Sequence, residues 1–187
     1  RGTTITLHLR DEEEEFSQAY RLRGIISRYS DHISLPIEMP SEDKEKNGEW
    51  ESINSGSALW SRAKSEVTEE EYTRFYQTLT YDSEDPLATL HNRVEGTLEY
   101  TSLFFIPKKA PFDLWDREQR HGINLYVRRI FIMDDSKHLM PSYLRFVRGV
   151  VDAADLPLNV SREFLQNNKS IDRIRSASVK KILAELN

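Results

Sequence analysis

The sequence predicts an α/β fold: a three-layer α-β-α sandwich with a mixed sheet, followed by C-terminal helices. Three observations lead there. Residues 100–106 and 123–133 carry alternating or continuous apolar patterns, as buried sheet strands do. Residues 68–79 join a helix-start signal to apolar residues at helical spacing. Strands and helices are interspersed along the chain, an order in which helices cover a sheet.

Taken in order, residues 4–9 alternate, with Ile5, Leu7 and Leu9 on one face of a half-buried strand. Asp11 is positioned to cap a helix whose first turn holds Glu12, Glu13, Glu14 and Glu15, where acids suit the positive end of the dipole. Phe16, Ala19, Tyr20, Ile26 and Tyr29 continue that helix. Residues 33–39 read as a short edge strand because Pro36 cannot donate to a ladder. Residues 40–49 are polar and charged, a surface loop. Thr68-Glu69-Glu70-Glu71 is a capping box, followed by Tyr72, Phe75, Tyr76 and Leu79 at i, i+3, i+4 and i+7. Asp85-Pro86 interrupts the chain. Residues 91–96 and 100–106 form two strands, the second ending at Pro107. Residues 123–133 read as one long strand, with Ile123, Leu125 and Val127 sharing a face. Pro141 suits the first turn of a short helix. Residues 146–151 form a strand. Ser161 is placed to cap one helix, and Ile171, Ile174, Val179, Ile182, Leu183 and Leu186 mark the apolar faces of a later one.

Composition narrows the function. The chain has 187 residues, 38% hydrophobic and 30% charged, the balance of a folded globular domain rather than a disordered one. The formal net charge is −5, and the run of five acids at 11–15 accounts for all of it. Elsewhere acids and bases balance, so no field draws nucleic acid to the whole surface. No stretch approaches the roughly 20 apolar residues of a membrane span. The absence of cysteine excludes disulfides and thiol catalysis; a cytoplasmic setting is the default expectation. Arg1-Gly2 opens mid-pattern, without a methionine or a signal peptide, so the expectation is a segment of a longer chain.

No Gly-rich phosphate loop or Walker lysine is present, and His8, His32, His91, His121 and His138 are too scattered to ligate a metal. Asp134-Asp135 reads as an acidic turn after a strand. The chain is therefore not expected to be a complete enzyme. One constellation stands apart: Asp155-Leu156-Pro157-Leu158-Asn159-Val160-Ser161-Arg162-Glu163-Phe164-Leu165-Gln166. It reads as a loop stiffened by Pro157, then a helix capped by Ser161. Arg162 stands in the first turn, where free N–H groups already favour anions, and Gln166 shares its face. A guanidinium there is suited to a phosphate. Taken alone, an ordinary Arg–carboxylate surface pair explains the segment better.

The stretch Leu156-Pro157-Leu158-Asn159-Val160-Ser161-Arg162-Glu163 resembles the catalytic-loop signature of the heat-shock protein 90 family. So do Tyr143-Leu144-Arg145-Phe146-Val147-Arg148-Gly149-Val150-Val151-Asp152, Leu125-Tyr126-Val127-Arg128-Arg129-Ile130-Phe131-Ile132 and Ile106-Pro107-Lys108-Lys109-Ala110-Pro111-Phe112-Asp113. Val94-Glu95-Gly96, Leu59-Trp60-Ser61-Arg62, Glu70-Glu71-Tyr72 and Asp85-Pro86-Leu87 fit as well, in one order along nearly the whole chain. The short loop at 40–49 and Met133-Asp134-Asp135 are closer to bacterial members of the family. Residues 1–33 resemble the last strand and helix of the family's nucleotide-binding domain, 34–168 the large α/β subdomain of its middle domain, and 169–187 the start of a helical connector.

The resemblance implies a part of an ATP-dependent chaperone of the stress response, acting on unfolded or partly folded client proteins. ATP and Mg are bound by the N-terminal domain, and none is expected in this chain alone. Arg162 matches the arginine that reaches the γ-phosphate once the middle domain docks, and Gln166 the glutamine that supports it. Leu156, Pro157, Asn159 and Ser161 shape that loop. Trp60 matches a family tryptophan linked to client contact, with core packing as the alternative. Phe112, Leu114 and Trp115 are expected in an exposed apolar patch for clients or for the N-terminal domain, with loop or core packing as the alternative. The full-length protein is implied to be a homodimer and this chain a monomer, with no nucleic-acid or membrane partner. Two other readings stay open: a non-catalytic docking module for clients or cochaperones, and a middle domain from a related mismatch-repair or topoisomerase ATPase. The latter family members typically use a lysine where Arg162 stands and need a DNA-binding surface.

Overall fold

The computed structural model describes residues 2–41, 48–110, 122–134, 138–156 and 168–187. They fall into two compact units, Arg1–Ser57 and Ala58–Asn187.

In the first unit the acidic run forms a 3-10 helix, Asp11–Ser17, kinked at Glu13, and α1 follows at Ala19–Tyr29. The sequence leads one to expect a single helix capped by Asp11. Arg10 holds the cap position instead, with no side-chain bond to the first turn. Like charges at i, i+3 and i+4 repel within an α-helix, which disfavours a regular turn through 11–15. The expected strand at 4–9 is also corrected. No strand partner for it exists among the described residues, and Ile5 and Leu7 are each 79% exposed. The edge strand expected at 33–39 shrinks to β1, Glu38–Pro40, paired antiparallel with β2, Trp50–Ser52. Asn54 takes the backbone groups that a ladder would have used. Its Oδ1 accepts from Ile37 N at 2.8 Å, and its Nδ2 donates to Ile33 O at 3.2 Å and Leu35 O at 3.1 Å.

The second unit is the expected α-β-α sandwich. Its strands are β3 (Pro86–Val94), β4 (Tyr100–Pro107), β5 (Ile123–Val127), β6 (Ile130–Met133) and β7 (Arg148–Ala153), in the order β3-β4-β7-β5-β6. Only β5 and β7 are parallel, so the sheet is mixed. Helix α2 (Glu69–Thr80) lies on one face and α3 (Lys169–Glu185) on the other. The period-2 alternation sorts side chains between them. Phe104, Ile106, Ile123, Leu125, Val127, Val151 and Ala153 meet Ile171, Ile174 and Ile182 of α3. Leu103, Phe105, Tyr126 and Val150 meet Tyr72 and Tyr76 of α2, with Trp60 among them.

The capping box is formed as its spacing predicts. Glu71 N donates to Thr68 Oγ1 at 3.2 Å, and Thr68 N donates to Glu71 Oε2 at 2.9 Å. The strand expected across 123–133 is instead a hairpin. It folds back at Arg128 and Arg129, both with positive φ (50° and 67°), while Val127 pairs with Ile130. The apolar runs on either side hid the turn, because neither arginine is a usual turn residue. Pro141 sits at the cap of a 3-10 turn, Ser142–Leu144, rather than inside a helix. Gly149, in the central strand, has φ +150°, and a Cβ there would lie 2.1 Å from Leu103 O. Only glycine lets β4 and β7 approach this closely.

Candidate functional site

Strand β7 positions the candidate site. It runs through the middle of the sheet, and after Ala153 the chain continues to Leu156, which is 3% exposed and packed into the α3-side core. The chain is described again from Asn168, whose Oδ1 accepts from Ser170 N at 2.9 Å and so caps α3. Ile171, one turn on, is buried in the same core as Leu156. Both borders of the 157–167 stretch are thus anchored in one apolar cluster. Pro157, Asn159, Ser161, Arg162 and Gln166 lie outside the described residues, as do Phe112, Leu114 and Trp115.

The carboxyl end of β7 is held by five hydrogen bonds. Trp60 Nε1 donates to Asp152 Oδ2 at 2.9 Å, and Arg129 N donates to Asp152 Oδ1 at 3.2 Å. Arg128 N donates to Ala153 O at 3.1 Å, and Arg128 Nε donates to Ala154 O at 2.8 Å. Ala154 N donates to Glu99 O at 3.0 Å. The sequence singled out Trp60 but neither Asp152 nor the two arginines. The available signal was an acid following the apolar run Val150-Val151 in the strand, a position that calls for a partner.

Trp60 itself belongs to the α2-side core. It is 1% exposed, with its ring 4.8 Å from that of Tyr126 and 5.7 Å from that of Phe75. A large aromatic side chain gains most from burial when its N–H finds an acceptor, and Asp152 supplies one. This indole is core, the alternative that the sequence left open for it.

A second polar chain starts at the same residue. Tyr72 and His91 share a 2.7 Å hydrogen bond at Nδ1, and His91 Nε2 lies 2.9 Å from Trp60 O. The carbonyl can only accept, so Nε2 carries the proton and Nδ1 accepts from the tyrosine hydroxyl. Burial pushes the His91 pKa below its ordinary value, against the opposing hydrogen bond to Trp60 O, and Lys64 adds to the lowering. Burial also raises the Tyr72 pKa, with Glu69 adding to it. Next to them opens a cleft lined by Lys64, Glu69, Tyr72, Asp85, Thr89 and His91, among others. Its two carboxylates outweigh its one lysine, which does not suit a phosphate. At the α2 N-terminus, Arg62 Nη1 donates to Glu71 Oε1 at 2.6 Å; that bond raises the arginine pKa and lowers the carboxyl pKa. Among the described residues no cluster of His, Cys, Asp and Glu could hold a metal ion, and no helix is long and apolar enough to cross a membrane.

A mixed-sheet sandwich with the Asp155-to-Gln166 sequence following its central strand agrees with the resemblance noted above, and the comparisons make the relationship definite. The family model described as Hsp90 protein matches residues 41–187, so the chain belongs to the Hsp90 family. It is 63% identical over 192 residues to the chaperone protein HtpG of Nitrosococcus oceani, 59% over 193 to that of Cupriavidus necator and 57% over 198 to that of Idiomarina loihiensis. In each case the whole chain is covered, and it spans about 30% of the relative's length.

Proposed function

We propose that the chain is the middle-domain segment of an ATP-dependent molecular chaperone of the HtpG kind. The observation that carries this is the HtpG relationship along the entire chain, at 55–63% identity. In this reading residues 1–33 close an N-terminal nucleotide-binding domain, 34–168 form the large middle subdomain, and 169–187 begin a helical connector. ATP is the substrate and is held, with Mg, by the N-terminal domain of the same polypeptide. This chain supplies Arg162, which meets the charge developing on the γ-phosphoryl oxygens after docking, and Gln166, which supports it. Anchoring at Leu156 and at Asn168 and Ile171 favours this role, because a cation that acts in a transition state must be held at fixed ends. Phe112, Leu114 and Trp115 are the candidate contacts for clients or for the N-terminal domain. Trp60, being core, has no place in that patch. The full-length protein acts as a cytoplasmic homodimer on unfolded clients.

The test is Arg162→Ala in the full-length protein. ATP turnover should fall sharply while nucleotide affinity and melting temperature stay close to those of the parent. Arginines supplied across an interface are worth about 10³–10⁵ in the strongest cases, and slow closure would mask part of that. Unchanged turnover in a folded variant would reject Arg162 as the phosphate contact and favour a non-catalytic docking module.

A further inference from the structure

We propose that α3 is a hinged helix: its second half, from Ser178 onward, is built to lift from the sheet edge at β3 while its first half stays docked. The inference is independent of the role given to Arg162.

The stripe that α3 buries against the sheet consists of Ile171, Ile174, Ser178 and Ile182. Helical spacing calls for an apolar residue at the third of these places. Ser178 stands there, 3% exposed, and its Oγ has no hydrogen-bond partner. A serine inside a helix can return its hydroxyl to the carbonyl four residues back. No such bond to Ile174 O is formed. The facing strand repeats the pattern. Alternation along β3 puts Asn92 on the side of Leu90 and Val94, which pack in the α3-side core. Lys181 Nζ donates to Asn92 Oδ1 at 2.6 Å. An ammonium can only donate, so the amide oxygen must face it and Nδ2 must point elsewhere. Nδ2 is buried and has no partner either. Among the described residues, these two are the only buried side-chain nitrogen or oxygen atoms left unpaired. Lys181 is three residues after Ser178 on neighbouring positions of the helix surface, so its bond to Asn92 sets β3 beside the second half of α3.

Each unpaired group is held out of water without compensation, which favours opening by a factor of about ten. Lifting the second half exposes Ile182, but it hydrates Ser178 Oγ and Asn92 Nδ2. Water also replaces the exposed Lys181 bond at little loss. The first half has no such release. Asn168 caps it, and Ile171 and Ile174 sit in the cluster that also holds Leu156. The pivot therefore falls between Ile174 and Ser178. Moving elements are drawn from segments whose local opening needs little free energy, and the two unpaired groups make this segment one of them.

Native-state hydrogen exchange on the chain tests the hinge. A lifted segment well under about 12 residues does not stay helical in water, so its amides report the opening. The amides of Val179, Lys180 and Lys181 precede the last turn, where ordinary fraying is confined. They should exchange at least about a hundredfold faster than those of residues 103–105 in β4, which open only with the whole sheet. Rates within a few fold of each other would mean that α3 leaves only on global unfolding, and the proposal would be overturned. Ser178→Ala should slow exchange at the three α3 amides about tenfold more than Ser176→Ala does. The second variant makes the same change at an exposed position of α3 and carries the gain in helix propensity alone. An equal or smaller slowing by Ser178→Ala would show that its hydroxyl is satisfied when folded, by water or by turning to Ile174 O. The hinge would then have no release at Ser178, and the proposal would fall.

Discussion

The two faces of the central sheet are built by different physics. The α3 face is large and mainly aliphatic, joining isoleucines 123, 171, 174 and 182 to leucines 90, 125, 139 and 144. The α2 face is smaller and dominated by aromatics: Trp60, Tyr72, Tyr76, Phe105 and Tyr126. Three of its buried side chains join polar handles to partners: Trp60 with Asp152, Tyr72 with His91, Tyr76 with Asp82 at 3.3 Å. Apolar burial is non-directional, so the α3 face supplies stability with little say over angles. Hydrogen bonds between side chains from different elements have directions, so the α2 face specifies how strands, turns and helix meet. The end of β7 belongs to both. Val151 and Ala153 face the aliphatic side, and Asp152 between them faces the polar one.

Four changes test this contrast. Gly149→Ala should affect both faces at once, because the added Cβ meets Leu103 O and drives β7 from β4. Backbone strain and overpacking together should cost about 4 kcal/mol, read as a lowered denaturant midpoint. A midpoint within experimental error of the parent would mean the two strands can separate freely, and the shared sheet would not be the rigid element assumed here. Ile174→Ala, confined to the aliphatic face, should cost about 3 kcal/mol through lost transfer energy and a cavity. That loss should be the same at pH 7.5 and 5.5, since no titratable group is involved. A pH-dependent loss would break the division between faces.

How much of this was legible beforehand follows the same division. The α3 face could be read almost residue by residue, because Ile123, Leu125 and Val127 alternate and Ile171, Ile174 and Ile182 recur at helical spacing. Periodicity reports apolar burial directly. The α2 cap was legible too, since Thr68 and Glu71 are three residues apart. The partners of Trp60 were not. Asp152 is 92 positions away in sequence, and no local pattern links them. The Arg128-Arg129 turn was hidden because its conformation is imposed by its bonds to residues 152–154, not by its own preferences. Residues 4–9 misled in the opposite direction. Their alternation is genuine, but a strand also needs a neighbour, and none lies among the described residues. The candidate segment at 157–167 stood out by its cap signal and the i, i+4 spacing of Arg162 and Gln166, but only the family resemblance gave it a role beyond an ordinary surface pair.

On the polar face, Trp60→Phe keeps most of the aromatic packing and removes one donor. Asp152 Oδ2 then loses its partner in partly buried surroundings, and the expected loss is about 1–2 kcal/mol. Thermal unfolding of the chain measures it. A loss nearer that of Ile174→Ala would mean that indole volume, not its hydrogen bond, is what this face needs.

The smallest effect is also the most specific to the polar face. His91 is neutral in the folded chain, bonded at both ring nitrogens, and burial depresses its pKa below 6.5. The unfolded chain therefore takes up this proton more readily than the folded one. Its contribution to stability is complete above about pH 6.5 and is lost as pH falls from there toward the depressed folded value. The slope for one proton cannot exceed about 1.4 kcal/mol per pH unit. Glu71, whose carboxyl is held below 4.5 by Arg62, loses its contribution only at lower pH, so the two windows separate. Melting curves between pH 7.5 and 5.5 should show the parent losing stability faster than His91→Gln, which retains a donor and an acceptor without titrating. The remaining histidines contribute equally to both proteins, so the difference between their curves isolates His91. Parallel curves would show that His91 is protonated without penalty when folded, and the neutral Tyr72–His91–Trp60 chain would then be the wrong description of the polar face.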